Sequence, residues 1–228
     1  MIYEEAKIAA IMTAPRCEPV FARNCIDRAL RALGIHLTVS GGVFYGQCMQ
    51  AMLEKLIAQG IDLAVTVDFD SIFTANQLKR LLTYVMTVDE IDAITGMQVR
   101  RGKKAMLGTI PGGEIIDNET RQVIWDGNPI LGTTAHFGLT VLDLHKLAPM
   151  PKPWFASKPC EDGTWGDDKV DDDVWFWLRW KEAGNTVYFD PGVRLGHLEE
   201  MVVVHDQHMQ PQHIYPQQWE TDYASSVA

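Results

Sequence analysis

The sequence predicts an α/β fold, a single domain whose mostly parallel central sheet is covered by helices on both faces. Strand-like and helix-like segments alternate through the first half of the chain, the order that builds a parallel sheet. The strand-like runs there are short and apolar, as buried strands are. With 228 residues, 46% of them apolar and 22% charged, the chain is long enough to bury a large core.

Residues 8–14 form a short apolar run that ends at Pro15 and read as the first strand. A helix follows, with Ile26, Ala29, Leu30 and Leu33 at helical spacing and Gly34 as its stop. Residues 36–39 read as a second strand broken by Gly41-Gly42, and Met49, Met52, Leu53, Leu56 and Ile57 as the apolar stripe of a second helix closed by Gly60. The third strand, residues 63–67, runs straight into Asp68. Thr74 is placed to cap a helix that carries Leu78, Leu81, Leu82 and Val85 on one face.

The second half is less regular. Residues 92–99 read as a strand, and residues 114–116 and 122–125 as the arms of a hairpin. Residues 133–144 predict one long strand. Residues 149–168, rich in Pro, Gly, Asp and Lys, predict a long loop. A helix is expected over 174–183, a last strand over 186–189 and a turn at Asp190-Pro191-Gly192. From residue 204 the tail holds five Gln and three His without a core pattern, so the domain is assigned to residues 1–203 and a polar tail to 204–228.

A net charge of -10 argues against a general nucleic-acid surface, which needs clustered Lys and Arg, although residues 100–104 form one local basic slot. Cys17, Cys25, Cys48 and Cys160 form no CxxC pair, so free thiols in a reducing compartment are expected. The start of the chain lacks a basic segment followed by an apolar one, and no apolar run approaches the ~20 residues of a membrane span. A cytoplasmic protein is the expectation.

Asp68-Phe69-Asp70 closes a buried strand, and open α/β sheets bind ligands outside the carboxyl ends of their strands. With the chain turning after Phe69, both carboxylates can face one hard cation, Mg²⁺ or Mn²⁺. Taken alone, the two acids read equally well as caps of the following turn. Asp171-Asp172-Asp173 opens the helix bearing Trp175, Phe176, Trp177 and Trp180. One acid at a helix start is ordinary capping, but three together build repulsion that a cation or ligand relieves. A carboxylate held there against aromatic rings gains proton affinity and suits a general base. Gly196-His197 follows the last strand and offers a nitrogen ligand, which tilts the metal from Mg²⁺ toward Mn²⁺.

These elements occur in an order that resembles compact glycosyltransferases of the GT-A (Rossmann-like, nucleotide-diphospho-sugar transferase) fold. The likeness is greatest to the large family-two group and its short bacterial and phage relatives, over roughly residues 8–200. Its landmarks are Thr13-Ala14-Pro15-Arg16, the DxD triplet, Gly132-Thr133-Thr134, Asp172-Asp173 ahead of Leu178-Arg179 and Glu182-Ala183-Gly184, and Asp190-Pro191 leading to Gly196-His197. The resemblance implies that Asp70 holds a cation bridging the donor diphosphate, that Asp68 contacts the cation or the nucleotide, and that His197 completes the metal site. It makes Asp172 or Asp173 the base, Asp172 standing where the family usually has Glu. Thr13, Pro15, Arg16 and Gln47 fall in the nucleotide pocket, with Arg100 as a further donor contact. Gln47 replaces the usual Asn or Arg and leaves the base open. The implied donor is a UDP- or GDP-sugar, and the acceptor a glycan, a protein or a small molecule, with nucleic acid less favoured.

Three other readings stand beside this one, among them a nucleotidyltransferase with a similar sheet, although Ala14-Pro15-Arg16-Cys17 is not the Gly-rich basic loop such enzymes carry after the first strand. Phosphatases of the haloacid dehalogenase type also place DxD after an apolar strand, with the first Asp as nucleophile, though near the chain start. A binding module with this fold would hold a nucleotide-sugar or a carbohydrate without turnover.

Overall fold

The computed structural model describes residues 5–14, 17–99, 108–111, 113–114, 127–166, 168–206 and 208–218. The first half runs β1 (Ile8–Ala14), α1 (Val20–Ala32), β2 (His36–Gly41), α2 (Tyr45–Ala58), β3 (Leu63–Asp68), β4 (Ser71–Ile72), α3 (Ala75–Thr87) and β5 (Ala93–Met97). Next come β6 (Thr109–Ile110), β7 (Gly113–Glu114), β8 (Ile130–Leu131), β9 (Leu139–Asp143) and α4 (Leu144–Leu147). The chain continues with α5 (Asp172–Glu182), β10 (Tyr188–Arg194), β11 (Gly196–His197), β12 (Val202–His205), β13 (Pro211–Ile214) and α6 (Pro216–Gln218).

Seven strands form the central sheet in the order β2-β1-β3-β9-β5-β10-β8. β1 is parallel to β2 and β3, and β5 to β10, whereas β9 is antiparallel to both its neighbours and β8 to β10. All but β8 and β9 therefore share one direction. Alternation along β1 sends Ile11 to one face and Ala10 and Met12 to the other. On the first face α2 and α5 bury Met49, Leu53, Phe176, Trp177 and Trp180. On the second, α1 and α3 bury Ile26, Leu30, Leu78, Leu81 and Leu82. The expected stripes thus lie against the sheet, with Gly34 and Gly60 at positive φ just beyond α1 and α2. Thr74 caps α3 as expected. Its hydroxyl accepts from Gln77 N at 3.3 Å and the Gln77 amide oxygen accepts from Thr74 N at 2.8 Å, a reciprocal capping box.

Several expectations are corrected. The long strand over 133–144 is only β9. Before it Thr134 makes only an isolated antiparallel bridge to Thr109, and the chain then arches: the His136 ring folds back to accept from Gly138 N at 3.0 Å, and Thr140 Oγ1 donates to His136 O at 2.6 Å. The expected turn at Asp190-Pro191-Gly192 lies inside β10, where the pairing with β5 shifts register between Asp190 and Arg194. Proline fits there because an irregular rung requires no N–H. The helix predicted over 174–183 begins at Asp172, because acids are at home in a first turn.

The loop over 149–168 is pinned at its start. Trp154 and Phe155 are buried, and Trp154 N donates to the Gln50 side chain at 3.0 Å. In the tail, β12 and β13 form a hairpin. The arms expected over 114–125 lie almost wholly outside the described residues. All four cysteines are free, and among the described residues no helix is long and apolar enough to cross a membrane.

Candidate functional site

The carboxyl edge of β2, β1 and β3 sets Ser40, Thr13 and Asp68 side by side on adjacent strands. Asp70 lies past the end of β3 and is 3% exposed. The chain then turns into β4, which pairs with β11 so that His197 stands opposite Ser71. Leu198 N donates to the Asp70 carbonyl at 2.9 Å and tightens the same junction. This short ladder brings His197 Nε2 to 3.4 Å from Asp70 Oδ2.

The other ring nitrogen decides what that contact means. His197 Nδ1 lies 2.8 Å from the Val99 carbonyl, which can only accept, so Nδ1 carries the proton. In the neutral ring, Nε2 then turns a lone pair toward a carboxylate oxygen. A shared proton or a cation relieves such a pairing, and a histidine oriented by a carbonyl on its far side is the usual arrangement of a metal ligand. Among the described residues no three His, Cys, Asp or Glu side chains converge as a metal-binding group. The structure thus joins Asp70 to His197, whereas Asp68 does not complete a three-ligand set with them.

Asp68 faces a different neighbour. Burial first, then the charges of Asp68, Asp173 and Asp172, push the Tyr45 phenol well above its ordinary range. All three charges act on the same phenol at the start of α2. Asp172 also has a structural task. Its Oδ2 accepts from Gly46 N at 2.9 Å and caps the first turn of α2, where Phe44 offers no side-chain cap. A methyl group on Gly46 would stand 2.6 Å from that oxygen and 2.7 Å from Phe155 Cβ. Gly46→Ala is expected to cost about 1–3 kcal/mol in urea unfolding, by overpacking and by displacing the cap. Asp173 is the acid with altered proton affinity: burial, followed by the charges of Asp171 and Asp172, raises its pKa. That shift favours a general base.

Thr13 is half-buried, and Gln47 lies exposed in the first turn of α2. Pro15, Arg16 and Arg100 lie outside the described residues. Of the α5 aromatics, Phe176, Trp177 and Trp180 are fully buried, and Phe137 stacks on Trp177 with centroids 5.1 Å apart. Trp175 is half-buried under Lys158, whose Nζ sits 4.1 Å from the ring centroid.

Tyr45, Gln98 and His136 escaped the sequence reading. Tyr45 had a signal, because it opens a helix at the same sheet edge as Asp68. Gln98 is 1% exposed and donates to Ser71 Oγ at 3.1 Å, which ties β5 to β4. His136 is buried, with Nε2 donating to the Gly96 carbonyl at 2.9 Å and Nδ1 accepting from Gly138 N. Gly138 O in turn accepts from Asp68 N at 3.3 Å. No local pattern marks such residues, since their partners come from other strands.

Burial lowers the His136 pKa from 6.5 to about 4. The unfolded chain takes up this proton near pH 6.5 and the folded chain only near pH 4, so acid favours unfolding. Stability from this group is complete above pH 6.5 and falls by about 3 kcal/mol as the pH drops toward 4. Urea midpoints across that window test this, together with a histidine ring resonance that does not titrate above about pH 5.

No family model matches the chain, and no curated protein does. Solved structures do match. The crystal structure of A197 from STIV superposes with a TM-score of 0.60 at 11% identity, over 91% of this chain and 94% of that one. GalNAc-T7, solved with UDP, GalNAc and Mn2+, superposes with a TM-score of 0.51 at 10% identity. That match spans 86% of this chain but only 44% of GalNAc-T7. Identities this low speak to the fold alone: strand order, helix placement and the ladder after β3 together give this chain a Rossmann-like α/β architecture of the GT-A kind.

Proposed function

We propose that the chain is a metal-dependent glycosyltransferase that moves a sugar from a nucleotide-diphosphate donor to an acceptor hydroxyl. The observation that carries this reading is the 3.4 Å approach of His197 Nε2 to Asp70 Oδ2 at the carboxyl edge of the sheet, with the far nitrogen held by Val99. Its likeness to a GalNAc-T7 structure containing UDP and Mn2+ supports the reading. Asp70 and His197 would hold a Mn²⁺ or Mg²⁺ ion through a carboxylate oxygen and an imidazole nitrogen. Such an ion supplies Lewis-acid stabilisation of the departing nucleoside diphosphate.

The remaining work falls to the chain itself. Asp70 and His197 fix where the diphosphate sits. Thr13, Asp68 and Gln47, with Pro15, Arg16 and Arg100, contact the nucleotide portion. Asp173, with its raised pKa, takes the acceptor's proton. Asp172 keeps one oxygen on Gly46 N and orients the start of α5 against α2.

The test is a panel of UDP- and GDP-sugars assayed for binding and donor hydrolysis with Mn²⁺ and with EDTA. Metal-stimulated hydrolysis of one donor class is expected. Metal-dependent binding without turnover, whatever the acceptor, would reduce the chain to a binding module. No metal-dependent binding across the panel rules the reading out.

A further inference from the structure

One cavity has no part in this site. It lies on the α1–α3 face, encloses about 520 Å³, and is walled by Cys25, Arg28 and Ala32 of α1, Ile72 of β4, and Arg194 and Gly196. Small-molecule sites occupy roughly 300–1,000 Å³ and combine apolar walls with a few polar groups. Here the walls are largely apolar, and Arg28, Arg194, Thr74, Gln77 and Cys25 are the polar residues among them.

The charge is conspicuous in a chain of net charge -10. On α1, Arg23 takes both nearby carboxylates, Glu18 at 2.7 Å and Asp27 at 3.1 Å. Among the described residues Arg28 has no ion pair, and it also lines an adjoining hollow with Asn24, Asp27 and Arg31. The first residues of α3 close the same cavity, adding the positive end of a helix dipole to the arginines. An anion with an apolar body matches both features. The Arg28 guanidinium supplies charge-assisted hydrogen bonds and the alanine and isoleucine walls cover carbon.

The cavity also has a structural boundary with the candidate metal site. Gly196 pairs with Ile72 on the rung next to His197 and Ser71. Successive residues of a strand face opposite sides, so the ladder has the cavity on one side and His197 on the other.

We infer that this cavity is a second ligand site that takes an organic phosphate with a compact apolar body. The test titrates 1-naphthyl phosphate calorimetrically into the wild-type chain, Arg28→Ala and Ala32→Trp, in EDTA to silence any metal-dependent site. Both variants change exposed positions on α1. Saturable one-to-one binding is expected in the wild type, at least about tenfold weaker in Arg28→Ala and lost in Ala32→Trp, whose indole fills the cavity. In parallel, 1-naphthyl phosphate slows iodoacetamide alkylation of Cys25, mapped by mass spectrometry. Absence of binding overturns the inference, and so does binding that survives Ala32→Trp. Binding lost in Ala32→Trp but unchanged in Arg28→Ala overturns the anionic assignment.

Discussion

Asp70→Ala is expected to abolish metal-dependent binding of a nucleotide-sugar, with affinity falling on the order of 100-fold or more. Asp70 is almost wholly buried, and its Oδ2 is the oxygen that faces His197 Nε2. Removing it leaves the imidazole as a single ligand, and one neutral nitrogen is a poor site for Mg²⁺ or Mn²⁺. Asp172→Asn is the matched control. The asparagine amide oxygen still accepts from Gly46 N, so α2 stays capped and donor binding stays near wild type. Transfer to the acceptor is expected to persist in Asp172→Asn and to stop in Asp173→Asn, since Asp173 takes the proton. Isothermal titration with Mn²⁺ and with EDTA reads the first effect, and product formation reads the second. An Asp70→Ala protein that binds donor as the wild type does refutes the metal assignment.

The second large effect concerns stability. Asp190 has no exposure and receives Arg80 through two nitrogens, Nε to Oδ2 and Nη2 to Oδ1, the latter at 3.0 Å, while Gly192 N donates to Oδ1 at 2.8 Å. This pair fastens β10 to α3. Arg80→Ala leaves the buried carboxylate with one backbone donor, and breaking a buried pair costs about 3–5 kcal/mol. Because the Arg80 side chain is 43% exposed, solvent softens the loss, and about 2–3 kcal/mol is expected. The double variant Arg80→Ala/Asp190→Asn is expected to be less destabilised than the sum of the single changes, since it leaves no unpaired charge. Urea unfolding of the three variants measures this. Strict additivity would show that the pair contributes nothing as a pair. Asp190-Pro191, which the family resemblance marks as a landmark, thus serves the architecture, while the proposed metal ligands Asp70 and His197 meet at the ladder of β4 with β11.

Much of the site was legible from local pattern. Asp68-Phe69-Asp70 announced itself by following an apolar run, and Asp172-Asp173 by opening an aromatic helix. What the pattern could not supply was the grouping. Both DxD acids looked like ligands for one ion. In the structure Asp70 turns to His197, while the charge of Asp68 acts with those of Asp172 and Asp173 on the Tyr45 phenol. Asp172 looked like a free base and proved to cap a helix that begins 127 residues earlier in the chain, at Tyr45. The arch at residues 133–138 read as strand because it leads without a break into the apolar run of β9, while the His136 side chain that bends it gave no local sign.

By itself the sequence determined the layers, the third strand ending in Asp68, and the residue types able to hold a cation. Helical and strand periodicity, stop glycines and a Thr cap act over a few residues, so they can be read from a few residues. Only the tertiary structure decided which side chains meet. The antiparallel β9 between β3 and β5, and the two-residue ladder of β4 with β11, are set by pairings between distant segments. Those pairings place His197 on Asp70 and leave Asp68 to another neighbour. Their partners lie too far apart along the chain for spacing to reveal them.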